Sequence, residues 1–153
     1  MTDMNKLILD AKEVLGELRS KVTQSGGEPD EAEGIALMLA SKVLMGDGKL
    51  ELEESEFLDA LLPESCTGAT FAHAENYAAR WDGMAGCTPT FLRTATSYDR
   101  GHDTHFADDI VDHIEAIAFR AAAVALPALV ECELGPIRDY CGFLRKCVAD
   151  LRR

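Results

Sequence analysis

Four carboxylates crowd one tight turn and the helix start that follows it. In the stretch Val43-Leu44-Met45-Gly46-Asp47-Gly48-Lys49-Leu50-Glu51-Leu52-Glu53-Glu54, an Asp-Gly pair is followed by Glu51 and Glu54. Carboxylate oxygens are hard ligands and suit calcium or magnesium. In an EF-hand loop glycine holds position 6, an aliphatic residue position 8 and a bidentate Glu position 12, and Gly48, Leu50 and Glu54 fit that register. Asp47 then stands at position 5, but positions 1 and 3, which should supply oxygen, are Val43 and Met45. The pattern is therefore not that of an ordinary EF-hand. A smaller cation site built from Asp47, Glu51 and Glu54 stays open. A plain helix–turn–helix corner explains the same residues. Gly48 can adopt a positive φ and end a helix, Asp47 can bond to nearby amides, and Glu51, Glu53 and Glu54 meet the positive end of the next helix dipole.

A second constellation comprises His102, Asp103, His105, Asp108, Asp109, Asp112 and His113. Zinc and other transition metals take imidazoles with a nearby carboxylate. His105 and Asp109 are four apart on a helix, as are Asp109 and His113, so one face could present His105, Asp109 and Asp112 together. His102, His105, Asp109 and His113 are thus candidate ligands in a metal-dependent hydrolase or a metal-handling protein. No H-E-x-x-H and no cysteine at ligand spacing accompanies them. A polar loop followed by a solvated acidic helix face accounts for the same residues. Other chemistry has little footing. The serines lack a G-x-S-x-G elbow, and neither a P-loop nor G-x-G-x-x-G occurs. The chain reads as non-enzymatic, with no catalytic residue.

The composition narrows the partners. The net charge is −12 over 153 residues, whereas nucleic acid and anionic membranes demand basic patches. A basic protein surface or a divalent cation fits better, and one reading is an acidic, immunity-type subunit that covers a basic partner. No apolar run is long enough to span a membrane, and no secretory signal is visible. Five cysteines without a C-x-x-C pair read as the reduced thiols of a cytoplasmic protein.

The elements that must position these groups are helical. Met4, Leu7, Ile8, Ala11, Val14, Leu15, Leu18 and Val22 recur at helical spacing. Ser25-Gly26-Gly27 ends that helix, and Pro29 suits the first position of the next. From Ile35 to Met45 the second helix is apolar almost all round, which marks it as the buried central element. Phe57, Leu58, Leu61 and Leu62 define a third helix, stopped by Pro63. Phe71, Ala74, Tyr77, Ala78 and Trp81 suggest a fourth, and Thr88-Pro89 a cap and first turn for a fifth. Thr104 or Asp103 can cap a sixth that carries Phe106, Ile110, Ile114, Ile117 and Ala121. Gly135-Pro136 opens the last, whose basic end at Arg145 and Lys146 could oppose the acidic face around Glu51–Glu56 in self-assembly. No stretch alternates like a strand. The expected fold is all-α: one compact bundle of about seven helices in a single domain over 1–153.

The helices also contain a repeat. Laying Glu54 on Glu133 lays Leu50 on Leu129, Leu58 on Ile137 and Leu61 on Tyr140. This gives two pseudo-repeated helical hairpins, the first near 30–62 and a degenerate second near 105–152 in which Leu126-Pro127 replaces Asp47-Gly48.

The pattern resembles the TerB-like (tellurite-resistance B) domain. The likeness is carried by Met45-Gly46-Asp47-Gly48-Lys49-Leu50 with Glu53-Glu54-Ser55-Glu56-Phe57-Leu58. Thr88-Pro89-Thr90-Phe91-Leu92, Asp99 and Glu133-Leu134 with Ile137 and Tyr140 look like the second half of such domains. The resemblance implies an all-helical, non-catalytic module related to stress or defence. It would work in a cytosolic or membrane-associated complex, with a partner such as an ATPase, and could sense a divalent metal. The loss of the second Asp-Gly removes half of any paired acidic site.

Overall fold

In the computed structural model the described residues are 4–44, 52–61, 88–125 and 135–153. They form six helices: α1 (Met4–Gln24), α2 (Pro29–Leu44), α3 (Leu52–Leu61), α4 (Thr90–His102), α5 (Phe106–Ala125) and α6 (Gly135–Leu151). The fold is all-α, with no strand among the described residues. Six helices stand where about seven were expected, and the stretch expected to form the remaining one, Phe71–Trp81, lies outside the described residues.

α2 is the centre of the molecule. Ala32 and every residue from Ile35 to Ser41, together with Val43 and Leu44, are buried. Such a helix needs cover on all sides, and α1, α3, α4, α5 and α6 all pack on it. Its one buried hydroxyl, Ser41, is satisfied by donating to the Leu37 carbonyl at 2.7 Å. α5 packs most extensively on α2 and α1. It brings Ala107, Ile110, Val111, Ile114, Ile117, Ala118 and Ala121 into the same core.

The first hairpin is set by local chemistry. Ala11, Leu15, Leu18 and Val22 form the buried stripe of α1. At its end Gly26 adopts a left-handed φ of 87°. The Gly27 amide donates to the Val22 carbonyl (2.9 Å) and the Gly26 amide to the Thr23 carbonyl (3.0 Å). These two bonds make a Schellman ending, which uses carbonyls that the helix leaves orphaned. Arg19 then ties the hairpin by bonding to Asp30 at 2.9 Å and to Glu33.

Two helix starts depart from the sequence expectation in the same way. Pro89 is the residue before α4, not its first, and it offers no side-chain cap. Glu31 of α2 accepts from the Phe91 amide instead (3.1 Å). Neither Asp103 nor Thr104 caps α5. Asp103 ends α4 in the left-handed conformation, and the cap comes from Asp99. A carboxylate at a helix N-terminus satisfies orphan amides and opposes the dipole wherever in the chain it originates.

Candidate functional site

The acidic corner follows α2 in the sequence. Asp47 and Glu51 are outside the described residues; Glu54 belongs to α3, its side chain outside them. The helices on either side are firmly seated. Leu44 is buried at the end of α2, and Phe57, Leu58 and Leu61 of α3 are buried in the common core. α2 and α3 pack against each other, and α3 also packs on α1 and α5.

The His/Asp stretch is spread over several contacts. His102, in the last turn of α4, stacks on Tyr98 with ring centroids 3.8 Å apart, and its Nδ1 is 2.9 Å from the Tyr98 carbonyl oxygen. His105 is exposed just before α5, with Nδ1 3.8 Å from an Asp108 carboxylate oxygen. Asp109 faces α1, where Lys21 Nζ is 3.2 Å away. His113 Nε2 is 2.9 Å from Glu17 Oε2, and its Nδ1 is 2.5 Å from the Asp109 carbonyl oxygen. Both His113 ring nitrogens therefore face oxygen acceptors, whereas a metal ligand must aim a lone pair at the ion. Asp112 turns to α6 and bonds to Arg145 at 3.0 Å. The expected shared face of His105, Asp109 and Asp112 is thus divided among different partners. Among the described residues no three His, Cys, Asp or Glu side chains are grouped to hold a metal.

The most developed polar cluster is centred on Asp99, which is 6% exposed. Its Oδ1 accepts from the Thr104 hydroxyl (2.6 Å) and the Phe106 amide (2.8 Å). Its Oδ2 accepts from the Ala107 amide at 3.0 Å. Arg152 of α6 reaches the same carboxylate at 3.6 Å and Asp108 at 2.8 Å. Burial by itself raises the pKa of Asp99. The Thr104 hydroxyl, the two amides and the charge of Arg152 outweigh it and hold the carboxyl below the ordinary aspartate range. Shifted carboxylates often mark catalysis. Here each perturbing group is part of the joint between α4, α5 and α6, so the shift records a structural clasp.

The basic end of α6 is also engaged. Arg145 makes a forked pair with Glu115 (2.9 and 3.1 Å) and reaches Asp112. Arg145, one residue of the pole expected there for self-assembly, is joined to α5 of its own chain. Cys141 is buried, and burial pushes its thiol up to about 12, with the charge of Glu115 adding to the effect. Such a thiol is not a nucleophile.

Compared with protein-family models, with curated proteins and with solved structures, the chain matches none. The likeness to TerB-like domains rests on the sequence motifs alone. No helix among the described residues is long and apolar enough to cross a membrane.

Proposed function

We propose that this protein is a non-catalytic interaction module of TerB-like type. Its acidic corner, Asp47, Glu51 and Glu54, docks a protein partner directly or through calcium or magnesium. The observation that supports this reading is the burial of α2, whose last described residue, Leu44, stands three positions before Asp47 in the sequence. Residues that follow so closely on a packed helix lose less freedom on binding than those of a free segment, which favours a docking point. A stress- or defence-related role in a cytoplasmic complex comes with the resemblance. The hydrolase reading through His102, His105, Asp109 and His113 draws no support from their separate contacts.

A second reading, an acidic subunit that covers a basic partner, is favoured by the net charge of −12. One experiment separates the two. The chain and its Asp47→Ala variant are used to capture partners from host lysate with calcium, with magnesium or with chelator. The docking reading predicts one partner whose retention falls about tenfold or more in the variant, equivalent to about 1.4 kcal/mol, while its melting temperature is unchanged. Loss in chelator as well makes the contact metal-mediated. Capture that is equal for both chains, insensitive to chelator and abolished by salt favours the acidic cover and removes the corner from the function.

A further inference from the structure

α4 has an outward face of unusual chemistry for so acidic a chain. Its only carboxylate, Asp99, is buried beneath the start of α5. Arg93, Thr94, Ser97 and Tyr98 are at successive one-turn spacing on one side of the helix. With Ser25 at the end of α1 they line an open depression of about 490 Å³. The left-handed turn at Gly26, next to Ser25, approaches Thr94 so closely that a Cβ at that glycine would lie 3.6 Å from Thr94 Cγ2.

Some donors in this depression are used: the Ser25 hydroxyl donates to the Val22 carbonyl at 2.9 Å. Arg19, Arg100, Arg120, Arg138, Arg145, Arg152 and Arg153 all have partners. Arg93 alone among the described arginines has no partner among the described residues, although the molecule carries a large excess of carboxylates. The exposed Ser97 hydroxyl and the Tyr98 hydroxyl are likewise unpaired among the described residues, whereas Thr94 donates to the Thr90 carbonyl at 3.2 Å. A guanidinium fork binds two oxygens of an oxyanion at once, and Ser97 and Tyr98, which line the same depression, carry hydroxyls suited to a third oxygen. Two oxygens, as in a carboxylate, would leave the hydroxyls idle.

We infer that this depression binds a single phosphoryl group, either as free phosphate or as the monoester end of a small molecule. A polyanion does not fit, because one arginine on a chain of charge −12 gives no extended basic track. The overall negative charge does not forbid a single group, since exposed charges beyond about 8 Å are largely screened at physiological ionic strength. The inference is independent of the acidic corner and stands or falls without it.

The test is an amide and arginine side-chain NMR titration of the whole chain at constant ionic strength, with inorganic phosphate, glycerol 3-phosphate and acetate. Saturable shifts at Arg93, Ser97 and Tyr98 are expected with a phosphoryl probe. They should weaken about tenfold or more in Arg93→Gln and persist in Arg153→Gln. Tighter binding of the monoester identifies an ester as the ligand class, and equal or weaker binding identifies free phosphate. Arg93 is exposed and unpaired among the described residues, so its variant should keep the parent spectrum elsewhere. Linear, non-saturating shifts overturn the proposal. So does saturation that survives Arg93→Gln unchanged, or acetate that binds as well as phosphate.

Discussion

Asp99 shows how much one side chain can organise. It spends both carboxylate oxygens on the first turn of α5 while anchored in the last turn of α4. Asp99→Asn preserves the shape but removes the charge and leaves one oxygen to serve the amides. The expected loss is about 1–3 kcal/mol in urea unfolding. The pH dependence follows from the direction of its shift. The folded pKa lies below the unfolded one, so the stabilisation is complete above about pH 4 and is lost as pH falls through the folded value. Wild type and Asp99→Asn should therefore converge in stability in acid melting curves below about pH 4. Sequence reading looked for this cap beside the helix, at Asp103 and Thr104. It could not see that the acceptor sits in the preceding helix, because only the turn between α4 and α5 folds it back. Cys141 gives a separate check at this scale. With its thiol pushed up to about 12, it should resist iodoacetamide at neutral pH in the folded chain and become modified on unfolding, as read by peptide mass spectrometry.

At the scale of helices, periodicity located α1, α2, α5 and α6 because each buries a regular stripe or, for α2, nearly its whole surface. The end of α1 was legible because Ser25-Gly26-Gly27 has only one economical geometry. The start of α4 was not, since Glu31 supplies the cap from a distant part of the chain. The contacts of the His/Asp face of α5 were not legible for the same reason. Spacing along a helix says which side chains share a side, but not that α1 and α6 offer Lys21 and Arg145 to Asp109 and Asp112. Glycines supply the prediction at this level. Gly16 in α1 and Gly142 in α6 are exposed, and an added Cβ would meet nothing within 4 Å. Gly16→Ala and Gly142→Ala should each stabilise by about 0.5–1 kcal/mol through reduced unfolded-state freedom. Gly26→Ala should instead destabilise by about 1–2 kcal/mol, because its φ of 87° strains any side chain. Thermal melts of the three variants check both signs.

For the molecule as a whole, one hydrophobic cluster includes residues from all six helices. Unfolding should accordingly be a single cooperative transition, with far-UV circular dichroism and the NMR amide signals of α2 reporting the same urea midpoint. Two separated midpoints would divide the chain into independent units. The packing of α5 on α1 and α2 also bears on how the protein is made. α2 is complete at Leu44, but the helix that covers most of it ends at Ala125. At about 5–20 residues per second, a ribosome takes roughly 4–16 s to supply that cover. During this interval the most apolar helix of the nascent chain is without its main neighbour. Synthesis of the protein should therefore draw on chaperones early, and a stop codon placed before α5 should leave an insoluble fragment, not a smaller folded one.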